Sequence, residues 1–185
     1  MDTNALQKFI TRESMKAEFE QKLDERVQRY LDVKPHGIIP NHQFASASTE
    51  CAKLYANGYN FACVALVQAV AEAILRMLSD VHLSKHPNSY EKGVKDLCGK
   101  GFIDKQLESA LLTIWRRRND FHHLNPNVPV DYQVLDKLAK EKLSLLNYVE
   151  SVLFAFTVDS GRINPKNPRY WKIRSGRADV YLRLA

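Results

Sequence analysis

The segment RRRNDFHHLNP (116–126) brings together side chains that can act on a phosphate group. An imidazole with a pKa of about 6.5 can take or give a proton at neutral pH. A guanidinium can bind a phosphate through two hydrogen bonds and stabilise the charge that develops on it. Because RNA carries its own nucleophile, the ribose 2′-hydroxyl, such a pair needs no metal ion. The segment therefore predicts acid–base chemistry on a phosphodiester.

Helical spacing indicates how these groups are positioned. Residues four apart share a helix face, so Arg118 lies with His122, and Asn119 lies with His123. Arg118 also falls on the apolar stripe of the helix predicted over 104–123, where an unpaired guanidinium would be costly. In the apolar run 61–75 the two polar residues are Gln68 and Glu72, and Glu72 is the natural partner of Arg118. A second interpretation is that this buried ion pair only fixes the register of the helices.

The spacing Arg118-Asn119-Asp120-Phe121-His122-His123 resembles the motif of the HEPN superfamily, all-helical domains with an arginine, a polar residue and then a histidine. The register from Arg118 to His123 fits best, because Arg117 and His122 have the same spacing without an asparagine after the arginine. The order of elements around the motif is similar too. The resemblance covers roughly residues 50–157.

This resemblance implies a metal-independent endoribonuclease that yields a 2′,3′-cyclic phosphate and a 5′-hydroxyl. It implies that His123 acts on the 2′-hydroxyl or the leaving oxygen, that Arg118 holds the scissile phosphate, and that Asn119 orients one or the other. Glu72, His122 and Arg117 are expected to support them. The family further implies a homodimer with a composite active site, a role in toxin–antitoxin, abortive-infection or antiviral defence, and an antitoxin or other regulatory partner.

One position departs from the family pattern, and two other functions stay open. Where toxins of this family that are paired with a nucleotidyltransferase carry a tyrosine, two places after the motif histidine, this chain has Asn125, so nucleotidylation there is doubtful. A non-catalytic HEPN domain would bind RNA or nucleotide with similar residues. A structural helical module would use its C-terminal tail to bind a partner.

Composition limits the class of protein. The chain has 185 residues and a net charge of +6, enough for one packed domain. Residues 160–185 hold seven basic residues and one acidic residue, so the whole surplus lies in this tail and favours a polyanionic partner.

Three scattered cysteines fit neither a disulfide framework nor a zinc site. We expect a cytoplasmic protein with no metal, no cofactor and no membrane span; the apolar run 61–75 is too short to cross a bilayer.

Apolar periodicity predicts an all-α, up-and-down bundle of four to five main helices over residues 1–159. The expected helices are 4–31 (in whole or part an addition to the HEPN-like bundle), one capped near Ser46 or Ser48, a central helix over 59–79 after a bend at Gly58, a short helix near 89–98, a helix capped by Asp104 and stopped by Asn125-Pro126, and a last helix over 131–157. No strand pattern precedes residue 165.

The tail, residues 160–185, alternates apolar and basic residues and predicts a β-hairpin over 170–184 with its turn at Ser175-Gly176. Basic and aromatic side chains together suit a nucleic-acid strand, and the candidate contacts are Arg116, Arg169, Trp171, Lys172, Arg174 and Arg177. The alternative is that Trp171, Ile173, Val180 and Leu182 pack the hairpin onto the bundle or across a dimer, while its cations stay solvated.

Overall fold

The structure is a computed structural model that describes residues 3–33, 37–40, 45–123, 125–128, 131–171, 173–175, 177–178 and 180–182. Its helices are α1 (Thr3–Gln21), α2 (Leu23–Val33), α3 (Ala45–Ala56), α4 (Asn60–His82), α5 (Tyr90–Gly99), α6 (Lys105–Trp115), α7 (Arg118–His122) and α8 (Tyr132–Leu153). Its strands are β1 (Ile38–Pro40), β2 (Phe156–Asp159), β3 (Arg162–Pro165), β4 (Ile173–Arg174), β5 (Arg177–Ala178) and β6 (Val180–Leu182). The predicted all-α bundle with a C-terminal hairpin is confirmed.

The centre of the bundle is α4, which packs against α3, α5, α6, α7 and α8. Its apolar side chains are fully buried over about three turns, at Val64, Val67, Ala71 and Ile74. By length and composition alone α4 could also cross a membrane, since it is longer than the apolar run seen in the sequence. Half of its most apolar stretch is buried inside the bundle. A buried core helix can be as long and as apolar as a helix that crosses a membrane. The position of α4 as the central helix agrees with the sequence prediction.

The predicted helix over 4–31 is two helices, with a turn at Lys22. None of the side chains of α1 is buried, and Phe9, Ile10 and Phe19 are all at least half exposed. The apolar residues of α1 are spread widely around the helix and do not form one stripe that could be buried against the bundle. Only α2 packs closely, chiefly against α3, and it buries Arg29 and Val33.

The start of α3 also differs from the prediction. The helix begins at Ala45, and Ser48 is an interior residue whose buried hydroxyl donates to the carboxylate of Glu150 on α8. Neither Ser46 nor Ser48 is therefore the N-cap. The bend at Gly58 is confirmed: its φ of +80° lies in the left-handed region, and it separates α3 from α4.

The last helix ends at Leu153, earlier than predicted, and strands begin before residue 165. β2 and β3 form an antiparallel hairpin closed by Ser160 and Gly161, both with positive φ. β4 and β5 form the predicted hairpin, with Ser175 in its turn; Gly176 lies outside the described residues. β6 pairs with β1, Ile38 opposite Leu182, so the end of the chain returns to the segment between α2 and α3.

Candidate functional site

The motif helix is broken in the middle of the motif. Asp104 caps α6 as predicted, its carboxylate accepting from the N–H of Leu107 at 2.7 Å, but α6 ends at Trp115. Arg117 then adopts a left-handed conformation, with φ of 61°, and α7 begins at Arg118. The predicted continuous helix over 104–123 is therefore wrong. The break turns Arg118 and the histidines onto a separate short helix at one end of the bundle.

Two buried side chains from other helices satisfy the carbonyl groups that the break releases. The ammonium group of Lys142 on α8 donates to the carbonyls of Thr113 (3.1 Å), Ile114 (2.6 Å) and Arg116 (2.9 Å). The side-chain amide of Gln68 on α4 donates to Ile114 (3.0 Å) and Arg116 (3.2 Å). Buried carbonyl groups are costly without donors, so these five hydrogen bonds stabilise the end of α6.

Arg118 is held loosely. Its guanidinium lies 3.7 Å from the carboxylate of Glu72 and 4.8 Å from the centre of the Trp115 ring. Both partners of the ion pair are about a quarter exposed, and Glu72 makes a shorter pair with Arg76, at 2.6 Å. The predicted pairing of Glu72 with Arg118 is present, but it is not the buried ion pair that the apolar stripe implied. The Nε of Arg118 is buried and has no hydrogen-bond partner in the described part of the chain.

The two histidines differ in exposure. His122 is half-buried, lies close to the backbone of Ala65, and has an Nε2 without a hydrogen-bond partner among the described residues. Burial, with a further contribution from the cationic Arg118, lowers the pKa of His122 below its usual value. His123 is exposed and follows the last residue of α7, its backbone N–H donating to the carbonyl of Asn119 at 3.2 Å.

The other polar residues of the motif have different surroundings. Arg116, Arg117 and Asn119 are exposed. The Nε of Arg117 donates to Asp120 at 2.8 Å, and Asn125 donates to the other oxygen of the same carboxylate at 3.1 Å. These bonds, that of Arg117 first, lower the pKa of Asp120. Arg117 is thus engaged in an ion pair of its own.

An open cleft, which we call the arginine cleft, lies where α5 meets the break. It has a volume of about 390 Å³, and its charged and amide-bearing lining residues are Glu91, Lys95, Arg116, Arg117, Arg118 and Asn119. Four cations and one carboxylate make it a site for an anion. His122 and His123 lie outside its lining. Sequence reasoning missed Lys95, because nothing in the sequence places that turn of α5 beside the break.

The predicted contact residues of the tail have different surroundings where the structure describes them. Trp171 is 6% exposed and packs edge-on against Phe154 and Phe156, so its predicted role in stacking on RNA is wrong and the packing alternative holds for this residue. Arg169 donates to the carbonyl of Phe102 at 3.1 Å. Ile173 is half-exposed. Arg174 and Arg177 lie on β4 and β5, and Lys172 lies outside the described residues.

Within the described part of the chain, no group of three or more His, Cys, Asp or Glu side chains could hold a metal ion. Comparison with protein-family models, with curated proteins and with solved structures finds no match to this chain.

Proposed function

We propose that the protein is a metal-independent endoribonuclease whose site is centred on Arg118. The observation that supports the proposal is that the guanidinium of Arg118 has hydrogen-bond donors left unused. It stands at a cationic cleft, makes one long ion pair, and keeps a buried Nε without a partner. A phosphodiester oxygen would supply the missing acceptor and would meet Arg118 through strong, charge-assisted hydrogen bonds.

The reaction is a transesterification within the RNA. A base removes the proton of the ribose 2′-hydroxyl, O2′ attacks phosphorus, and the bond from phosphorus to O5′ breaks as an acid protonates O5′. The products are a 2′,3′-cyclic phosphate and a 5′-hydroxyl. Arg118 stabilises the charge that develops on the phosphoryl oxygens. His123, exposed at the tip of α7, is the proton carrier, and Asn119 orients the phosphate or the ribose.

A strand bound in the arginine cleft must pass over the tip of α7 to meet His123, because neither histidine lines the cleft. A second copy of the chain, facing the first across α7, would place its own histidine over the bound strand. A homodimer with a composite site is therefore part of the proposal. His122, whose pKa is lowered chiefly by burial, supports the site through its contact with the backbone of Ala65.

The test is incubation with RNA of defined sequence in EDTA, followed by analysis of the end groups. We expect His123→Ala to lose activity by about 10²–10⁴-fold and Arg118→Ala by about 10²–10³-fold. Arg12→Ala, an exposed arginine on α1, is the control and should cut at the wild-type rate. Cleavage by His123→Ala at the wild-type rate would contradict the assignment, and an equal loss in His122→Ala would leave the choice of histidine open.

A second candidate function is RNA or nucleotide binding without cleavage, and the position of both histidines outside the arginine cleft favours it. In that case RNA would bind with an affinity that falls in Arg118→Ala, and no cyclic phosphate would form. The same assay separates the two functions.

A further inference from the structure

A second cleft, which we call the Ser79 cleft, adjoins the arginine cleft. Its volume is about 450 Å³, within the range of small-molecule sites. Its polar lining residues include Glu72, Arg76, Ser79, Asp80, His86 and Asn88. Trp115 lines both clefts, and Glu72, the partner of Arg118, lines this one. A molecule that extends from one cleft into the other would pass beside Arg118.

The two clefts differ in charge. In the Ser79 cleft the carboxylate of Glu72 is paired with Arg76 at 2.6 Å, and that of Asp80 lies 3.4 Å from the imidazole of His86. The arginine cleft has a surplus of cations. A phosphate group is therefore favoured in the arginine cleft, whereas the Ser79 cleft suits an uncharged group with polar edges.

Ser79 provides an independent indication of a ligand. It is 2% exposed, it lines the cleft, and its hydroxyl has no hydrogen-bond partner among the described residues. A buried hydroxyl left without a partner is unfavourable. A polar atom of a bound molecule would remove this cost, so the hydroxyl marks where the ligand carries a donor or an acceptor.

The apolar wall of the cleft is held in place by close packing. A Cβ atom at Gly93 would come within 2.7 Å of Cγ of Pro87 and 3.3 Å of a methyl group of Leu75, both of which line the cleft. Trp115 stacks on Tyr90 with their rings 4.0 Å apart, and Arg118 covers its other face. The indole therefore offers its edge, and a flat ligand would lie against Leu75 and Pro87.

We propose that the Ser79 cleft binds a nucleobase of the RNA, from the nucleotide next to the phosphate held by Arg118. A nucleobase is uncharged and flat, and its edge carries the donors and acceptors that Ser79 requires. The inference rests on the proposed function, since it takes RNA as the substrate. It makes the cleft the part of the site that selects the base at the cleavage position.

The experiment measures binding of the four uncharged ribonucleosides and of inorganic phosphate by NMR titration. We expect the best-bound nucleoside to lose about tenfold in affinity in Ser79→Ala, because one hydrogen bond is lost. Ser79→Val, which also fills the cleft, should lose more. Phosphate binding should be unchanged in both variants and should weaken in Arg118→Ala. Ser109→Ala, an exposed serine on α6, is the control.

Two results would overturn the inference: no nucleoside binds, or both Ser79 variants bind nucleoside as the wild type does. Failure of the proposed function gives a different pattern, in which nucleoside binding depends on Ser79 but RNA is not cut. If RNA is cut, Ser79→Val should change the base preference of cleavage. Thermal melting checks that Ser79→Ala is folded. Because the substitution removes a hydroxyl that has no partner, the melting temperature should not fall below that of the wild type.

Discussion

Arg29 and Arg118 are both arginines with little exposed surface, yet their guanidinium groups are in opposite states. Arg29 on α2 is 7% exposed and donates to the carbonyl of Tyr55 (2.9 Å), the hydroxyl of Tyr132 (2.8 Å) and the side chain of Asn60 (2.5 Å). It also forms an ion pair with Asp136 at 2.5 Å. Arg118 makes one ion pair, at 3.7 Å, and has an Nε without a partner.

This difference in unused donors distinguishes an arginine that holds the structure together from one that can bind a ligand. A guanidinium whose donors are all used joins α2, α3, α4 and α8, and a ligand could bind it only by breaking those contacts. A guanidinium held by one distant carboxylate and one aromatic ring keeps donors for an incoming anion. Burial by itself does not distinguish the two arginines; the number of unused donors does, and it is the reason for placing Arg118 at the proposed site.

The largest expected effect on stability comes from replacing Arg29, the arginine whose donors are all used. Replacing Arg29 with methionine leaves Asp136 and Asn60 without their partner in a region shielded from water. We expect the free energy of unfolding to fall by about 3–5 kcal/mol, measured by urea denaturation. Arg12→Met, on the exposed face of α1, should change it by less than about 0.5 kcal/mol. A loss in Arg29→Met as small as in this control would show that the contacts of Arg29 contribute little.

Sequence reasoning found the contact of the candidate site that regular helical spacing encodes, and it missed the features that depend on a break in the helix and on donors from other helices. The pairing of Glu72 with Arg118 followed from helical spacing, because both lie on long apolar faces that must meet. The break at Arg117 did not, because its stabilising donors, Gln68 and Lys142, come from two other helices. The structural role of Arg29 was missed for the same reason, because its hydrogen-bond partner Tyr132 lies 103 residues away in the chain.

The fold shows the same division between local and distant signals. Long periodic helices such as α4 and α8 were predicted from the sequence, as was the turn at Ser175. The β2–β3 hairpin was missed because its strands have four residues each, too few for alternation to outweigh the helical pattern before them. The pairing of β6 with β1 joins the C-terminal region to the segment between α2 and α3, and no local pattern encodes it.

Lys142 is, like Arg29, a buried cation, and it sharpens the comparison because it is bound by neutral carbonyls instead of carboxylates. Lys142→Met removes three hydrogen bonds at the end of α6. We expect a loss of about 1–3 kcal/mol of stability at pH 7 and a movement of Trp115, seen by near-ultraviolet circular dichroism in a Trp171→Phe background. Lys137→Met, an exposed lysine on the same helix, is the control. An unchanged Trp115 signal would contradict the role of Lys142 at the break.

The pH dependence of stability gives an independent check on Lys142. Burial lowers its pKa to about 8, with smaller contributions from Glu141, which opposes the shift, and from Arg117 and Arg116. Between pH 8 and 10.5 the unfolded chain keeps a proton that the folded protein has lost, so this group adds stability as the pH rises. Relative to Lys142→Met, the wild type should gain on the order of 3 kcal/mol over this interval. A constant difference between the two proteins would contradict the lowered pKa.

The smallest expected effect on stability belongs to Arg118, and it completes the comparison with Arg29. Glu72 keeps its shorter pair with Arg76 when Arg118 is removed, so its carboxylate is not left without a partner. A partly exposed ion pair contributes at most about 1 kcal/mol, so Arg118→Ala should unfold within that margin of the wild type. The same variant should lose most of its RNA cleavage and phosphate binding, which makes the two arginines opposite in both measurements. A loss of stability as large as that of Arg29→Met would instead assign Arg118 a structural role and remove the main support for the proposed site.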